Sequence, residues 1–437
     1  MSLHEPSSER VFATDIVQRL QQAGYVAYFA GGCVRDQLLG REPHDFDVAT
    51  NAIPNQVRDL FGTKRTLFVG AAFGVVCVHG LIDGVRHQVE VATFRNDGSY
   101  SDGRRPDSVE FTTPEQDALR RDFTINGMFF DPIENRVIDY VGGQHDLEQG
   151  LLRAIGDPIH RFGEDKLRLM RAIRFAARFH LKLDPLTEAA IHSLASTLRA
   201  VSPERISMEV HKILELEKRV WALEKLHDSG LLAVVEPDWH LAWKESPFAM
   251  ERVRHILERV PCSNFALSVA CVIAMTSWNE LQSFSSQEKG KFALRQSEQL
   301  KHRWRLSNQE EADMCYFLEG NQILLGNHDL LWSTLQPWLA DPRSFWLIQM
   351  VEALCNSLAI DWPLRYRCQT AMQWDRDKLD PPPLLKGADL KSMGIPMGPA
   401  YAAILRQVRA QQLDGQLRNP EEARDWVLSM QSDRNSW

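Results

Sequence analysis

Apolar and polar positions change rhythm along this 437-residue chain. Over roughly the first 150 residues, short β-like runs alternate with glycine turns. Val26–Ala30, Phe46–Ala49, Val75–Val78 and Gln88–Ala92 carry the alternation and β-branched content of strands. Pro54–Phe61 reads as a short helix with proline in its first turn. After Asp157-Pro158, apolar residues recur at three- and four-residue spacing and strand signals all but vanish. The pattern predicts an α+β fold in front, with a mixed β-sheet and helices, and an all-helical chain behind. A proline cluster, Asp380–Leu384, predicts a linker before a last small unit.

Length sets a prior of roughly two to four domains. Hydrophobic residues at 44% and charged residues at 25% exclude a disordered, collagenous or coiled-coil chain. The net charge of −8 lacks the basic excess usual in nucleic-acid binders, so bulk charge alone ranks RNA and DNA low. The opening residues Met1–Arg10 lack the apolar core of a signal peptide. Ala266–Met275, the most apolar stretch, is about half of a membrane span and reads as a buried helix. Seven scattered cysteines without a CxxC pair argue against a disulfide framework or zinc site and for a reducing cytoplasm.

The chemistry begins at Gly31-Gly32-Cys33-Val34-Arg35-Asp36, directly after a predicted strand, with Gln37–Gly40 as a short helix. Paired glycines let backbone N–H groups approach phosphate oxygens at a helix start, and Arg35 adds a charged fork. Asp45-Phe46-Asp47-Val48 follows. On a strand, Asp45 and Asp47 project to one side while Phe46 and Val48 turn to the core. Two adjacent carboxylates repel, and Mg²⁺ favours carboxylates together with substrate phosphate. Such a pair can hold metal ions that activate a hydroxyl and stabilise a pyrophosphate leaving group.

Gly31–Gly40 with Pro43, Asp45 and Asp47 resembles the nucleotidyltransferase superfamily, in particular class II tRNA CCA-adding enzymes and bacterial poly(A) polymerases. The resemblance implies Asp45 and Asp47 as catalytic metal ligands, and Gly32 and Arg35 on the triphosphate. Glu90 sits on a later strand and is a candidate third carboxylate. Arg120-Arg121-Asp122-Phe123-Thr124-Ile125-Asn126 matches the family's next motif. Its arginines suit a triphosphate, Asp122 can accept from ribose hydroxyls, and Asn126 lies one turn on. Asp139–Gly143 reads as a structural hinge, not a second phosphate site.

In Gly156–Ala176, Leu167, Met170, Ile173 and Phe175 can face a core, while Asp165, Arg168, Arg171 and Arg174 step along a helix three apart. The bland reading is a salt-bridged exposed face. The chemical reading is base selection. Cytosine and adenine both present an amine donor beside a ring-nitrogen acceptor, and an acidic acceptor next to an arginine donor accepts that pair without a template. The resemblance assigns this role to Asp165 and Arg168 and places Arg171 and Arg174 nearby on the nucleotide.

Four parts are thus expected: a nucleotidyltransferase head at 1–155, a base-selecting neck at 156–215, a helical body at 216–380 and a tRNA-contacting tail at 381–437. The loop Asn96–Asp107 is similar to the flexible loop of C- and A-adding enzymes. Val69–Val75 lacks the basic motif typical of proteobacterial poly(A) polymerases. Gly387–Leu390, Gly394–Pro399 and Asn419–Ala423 are similar to the tail of the CCA-adding enzymes. Asn327-His328-Asp329 lacks companion ligands and reads as a structural or surface pair. The expected function is template-independent addition of CCA to tRNA by a cytoplasmic, Mg²⁺-dependent enzyme using CTP and ATP, with neither DNA nor membrane as partner. The alternatives are an A-adding or poly(A) polymerase of the same family, or a catalytically silent RNA-binding protein.

Overall fold

The computed structural model describes residues 7–43, 45–70, 74–98, 108–326 and 328–434. Residues 71–73 of the Val69–Val75 segment, 99–107 of the Asn96–Asp107 loop, and Asn327 lie outside them. Contacts divide the chain into two units, Met1–Leu241 and Ala242–Trp437.

The first unit is built on the alternating segments. β1 (Ala27–Ala30), β2 (Asp47–Thr50), β3 (Thr66–Gly70), β4 (Val75–Ile82) and β5 (Val85–Thr93) form most of its sheet. β6 (Arg95–Asp97) and β7 (Val109–Phe111) pair as a separate ribbon, and β8 (Phe129–Asp131) and β9 (Arg136–Ile138) complete the sheet. The order is β3-β4-β5-β2-β1-β8-β9, with β2 parallel to β5 and the other neighbours antiparallel. One face is covered by α1 (Ser8–Gln22), whose Phe12, Ile16, Val17 and Leu20 pack with Phe29, Val48, Val76, Val78, Val89 and Val91. That core leaves the polar side of β2 and β5 for chemistry.

Three helices matter most for the site's shape. α2 (Gly32–Leu38) starts at Gly32 itself, earlier than the Gln37–Gly40 helix the sequence suggests, and Gly40 lies beyond it with φ +68°. α3 (Pro54–Phe61) matches the expected bounds, with Pro54 in its first turn. α4 (Pro114–Leu119) leads into the Arg120–Asn126 motif. α5 (Gly143–Glu148) then packs under that motif. Asp139 caps it by accepting from the backbone N–H groups of Val141, Gly142 and Gln144. The glycine element is therefore a helix start in close contact with the motif above it.

The helical remainder of this unit corrects one expectation. Asp165 does not share a helix with the arginines that follow. α6 (Pro158–Glu164) ends before it, Asp165 is extended (φ −137°, ψ 106°), and α7 (Arg168–Phe179) begins three residues later. The cause is local: the Asp165 carboxylate accepts from the Leu167 N–H at 3.0 Å, a bond that short acidic side chains make at helix ends. Arg178 in the last turn of α7 is exposed, but the arginines before it do not form an exposed charged face. Leu167, Met170, Ile173 and Phe175 are buried as expected, but so are Arg168 and Arg174. α8 (Pro185–Leu194) and α9 (Pro203–Leu214) follow, and α9 packs on α7.

The second unit is all helix among its described residues. Helix Phe265–Thr276, the apolar stretch of the sequence, is buried from Phe265 through Met275. Asp380–Lys386, with its prolines, is irregular. Beyond it Leu390, Val408, Ala423 and Val427 form a small separate core. His328 and Asp329 lie exposed on a loop. No helix among the described residues is long and apolar enough to cross a membrane.

A Cβ at Gly143 would stand 2.3 Å from the Thr124 carbonyl oxygen and 2.8 Å from Met128. Gly143→Ala is therefore expected to cost about 1–3 kcal/mol by overpacking against backbone. A lower urea midpoint at unchanged slope would show it, and an unchanged midpoint would refute it.

Candidate active site

β2 places the carboxylates. Asp47 opens the strand, opposite Glu90 on β5 and Ala30 on β1. Phe46 and Val48 are buried in the core, so Asp45 and Asp47 turn outward together. Crowding by surrounding protein pushes the Asp47 carboxyl up to about 6; Glu90 and Asp45 add repulsion and Arg121 opposes it. Carboxylates held in mutual repulsion need a cation. Among the described residues, no cluster of three or more His, Cys, Asp or Glu is arranged to hold an ion alone. An ion at Asp45 and Asp47 must complete its shell with substrate oxygens or water, a donor set that fits a hard divalent cation.

The glycine turn and the arginines converge on the other side of Asp47. Gly31 has φ +71°, and a Cβ there would lie 3.1 Å from Arg121 Nη1, so only glycine suits the position. A cavity of roughly 500 Å³ is lined by this turn, Asp47, Arg35, Arg120, Arg121 and Arg171, among others. Packing so many guanidinium groups together needs counter-charge, and Asp117 on α4 supplies part of it. This residue is 1% exposed. One carboxylate oxygen accepts from Arg120 at 2.7 and 2.9 Å, the other from Arg121 at 2.9 and 3.2 Å. Burial would raise the Asp117 carboxyl, but the two arginines prevail and hold it below the ordinary carboxylate range.

Asp122 joins a second network. Its Oδ1 accepts from Asn126 Nδ2 at 3.0 Å, and its Oδ2 from Arg171 at 2.6 and 3.0 Å. Asn126 Oδ1 in turn accepts from Arg35 Nη1 at 2.6 Å, and Arg35 lies 4.1 Å over the Phe179 ring. Burial works to raise the Asp122 carboxyl; Arg171, Asn126 and Arg168 overcome it and hold it down to about 2. Asp122 is a fixed anion whose oxygens already engage Asn126 and Arg171.

Asp165 and Arg168 both line the same cavity, with different partners. Asp165 Oδ2 accepts from Arg205 Nη2 on α9 at 2.7 Å. Arg168 Nη1 donates to the Arg161 carbonyl at 2.8 Å and pairs with Glu164. The structure thus brings Gly32, Arg35, Asp47, Arg121, Asp122, Asn126, Asp165, Arg168 and Arg171 to one cavity. Asp45 and Glu90 line an adjoining cavity that shares Asp47. Arg174 is outside both linings. It is 5% exposed, and its Nε donates to Glu209 at 2.6 Å, which makes it a buried brace between α7 and α9. Sequence reasoning missed Asp117, Glu164, Arg205 and Glu209. Asp117 carried a signal, a carboxylate three and four residues before an arginine pair on a short helix; Arg205 and Glu209 lie too far along the chain for any local pattern.

Asp117→Asn removes the shared counter-charge of two cavity arginines. It should lower stability by about 3 kcal/mol and raise the nucleotide KM about tenfold or more. Denaturation and steady-state kinetics measure both, and wild-type values for the two would refute the clamp. The Asp47 shift gives a pH effect. Its folded value near 6 lies above the unfolded value of about 3.9, so the stabilisation from its proton is full below about pH 4 and lost as pH rises through about 6. A divalent cation should therefore raise the melting temperature more at pH 7.5 than at pH 5, and an equal rise at both would count against a cation at Asp47.

The family models agree with this geometry. Residues 27–153 match the model described as the poly A polymerase head domain, and residues 180–242 the model described as a probable RNA and SrmB-binding site of polymerase A. A CCA-adding enzyme of Levilactobacillus brevis is 34% identical over 427 residues, 97% of this chain and 98% of that one. Poly(A) polymerase I of Haemophilus influenzae is 35% identical over 330 residues, 71% of this chain and 68% of the other. The crystal structure of the Bacillus stearothermophilus CCA-adding enzyme in complex with CTP superposes with a TM-score of 0.73 at 26% identity, covering 98% and 99% of the two chains. A carboxylate strand, a glycine turn and an arginine-lined cavity, on a chain alike end to end, place this protein in the nucleotidyltransferase family of CCA-adding enzymes and bacterial poly(A) polymerases.

Proposed function

We propose that this chain adds CCA to the 3′ end of tRNA from CTP and ATP, releasing pyrophosphate. One observation carries the reading: a single cavity is lined by Asp47, the Gly31–Gly32 turn, Arg121, Asp165 and Arg168 together. Such a lining suits a nucleotide with its triphosphate at the carboxylate and arginines and its base at Asp165 and Arg168. Relatives with the name CCA-adding enzyme align over nearly the whole chain, the poly(A) polymerase over about 71% of it.

Asp45 and Asp47 hold the divalent cation with which this family works, Mg²⁺ on our reading of the hard oxygen donors; when bound it lowers the pKa of the attacking hydroxyl and neutralises charge on the departing pyrophosphate. Glu90 stands beside them as a third carboxylate. The Gly31–Gly32 turn, Arg35, Arg120 and Arg121 orient the triphosphate. Asp117 keeps the last two arginines aimed, and Asp122 with Arg171 closes the wall where the ribose would lie. Arg205 fixes the Asp165 carboxylate as acceptor, and Arg168, anchored through Nη1, turns its other nitrogens to the base. Together they accept cytosine or adenine and reject uracil or guanine. Residues 1–155 then act as head, 156–215 as neck, 216–380 as body, and 381–437 as a tail on the tRNA.

The test offers tRNA lacking its 3′ end to the enzyme with CTP, ATP or both, and sequences the products. CCA ends from the mixture are expected; A-only tails on an unrelated RNA would overturn the reading in favour of a poly(A) polymerase. In the same assay Asp165→Ala should cut the preference for CTP and ATP over UTP and GTP by about tenfold or more. Unchanged preference would remove Asp165 from base selection.

A further inference from the structure

Among the described residues, two further cavities follow the catalytic one along the sheet. A second, roughly 570 Å³, shares Asp47 with it and is lined also by Asp45, Glu90, Gln88, Arg86 and Glu9, the last beside His87. A third, again roughly 570 Å³, shares Arg86 with the second and is lined by Lys64, Arg65, His79, Gly80 and Leu81. β5 explains the succession. Its exposure alternates, so Arg86, Gln88 and Glu90 face out while His87, Val89 and Val91 are buried. Antiparallel pairing sets His79 opposite Gln88 and Leu81 opposite Arg86. Lys64 and Arg65 stand in the turn before β3, where Arg65 Nε donates to the His79 carbonyl at 3.2 Å. Four residues separate Glu90 from Arg86, about 13 Å of strand.

The chemistry changes sign along that path. Carboxylates crowd the Asp47 end, whereas the third cavity has Lys64, Arg65, His79 and Arg86 on its wall and no carboxylate among its lining residues. Leu81 and Val85, 70% and 56% exposed, add apolar surface beside it. An anionic chain with apolar faces fits such a surface; a small free anion has no use for the apolar part.

An RNA whose 3′-hydroxyl reaches Asp45 and Asp47, while a nucleoside triphosphate fills the first cavity, must run away from the carboxylates by another route. We propose that the second and third cavities are that route, with Lys64, Arg65 and Arg86 holding backbone phosphates of the last unpaired nucleotides. The inference rests on the RNA 3′-end reading above and extends it to the track of the acceptor strand.

The experiment compares a hairpin RNA bearing a three-nucleotide 3′ overhang with the same hairpin ending flush, each titrated against the full-length protein. Wild type should bind the overhang more tightly. Arg86→Glu and the pair Lys64→Glu/Arg65→Glu should each weaken overhang binding about tenfold and leave flush binding unchanged. The milder Arg86→Gln should lower the salt slope of overhang binding by about 0.7, one single-strand phosphate contact. CTP affinity and melting temperature report that the variants remain folded. Equal weakening of both hairpins would make the patch a duplex contact, and no weakening would free it of RNA; either overturns the track. Weakened pyrophosphate binding with overhang affinity intact would mark a free-anion site and overturns it as well. A wild-type enzyme that adds C, C and A beside variants that bind normally would fail the track alone, whereas a wild type that adds nothing would fail the functional reading.

Discussion

Like charge must be concentrated at this site and then kept from tearing it open. A triphosphate needs several guanidinium groups within one cavity, and those groups repel until the substrate arrives. Each is therefore tied to a carboxylate on the protein side: Arg120 and Arg121 to Asp117, Arg171 to Asp122, Arg168 to Glu164, Arg35 to Asp36. Removing any one of these acids would leave a partly buried cation without its partner, which costs more than the pair itself stabilises. The pairs also fix direction. A guanidinium held through one edge presents its other edge in a defined plane, and geometry of that kind makes a phosphate site specific.

The carboxylates on β2 obey the opposite rule. Asp45, Asp47 and Glu90 stand together with Arg121 set against Asp47, and burial first, then the repulsion of Glu90 and Asp45, raises the Asp47 carboxyl. One half of the site is thus neutralised in advance and the other half is left charged. On the reading proposed above, the neutralised half would receive a substrate that brings its own negative charge, and the charged half would attract a cation. Gly31 lets the two halves touch, since its missing side chain is what brings Arg121 to the turn above the strand.

How much of this was legible depended on the distance over which each signal acts. The Asp45/Asp47 pair was readable because strand alternation alone sends Phe46 and Val48 inward. The Gly31–Arg35 turn was readable only beside the carboxylate pair that follows it, since a glycine pair after a strand is more often a plain turn into a helix. The arginine series after Asp165 was read with the wrong geometry: a three-residue step suggested one helix, but the Asp165 side chain captures the Leu167 N–H and breaks it there. The resemblance placed Arg174 near the nucleotide, and its partner in the structure is Glu209, 35 positions later, which holds it in the interior. Arg205 was invisible for the same reason. Tertiary partners 35 or 40 residues apart leave no mark in a window of one or two helical turns.

The overall charge of −8 takes on a different meaning in this light. It suggested that nucleic acid was an unpromising partner, because acidic and basic residues were counted as though all of them faced solvent. Asp117, Asp122 and Glu209 are buried and spend their charge holding arginines in place. An acid used internally does not repel RNA; it holds an arginine in a fixed place and direction. RNA affinity in such a protein depends on where its cations stand and how firmly they are aimed, and a modest salt dependence follows from having few of them.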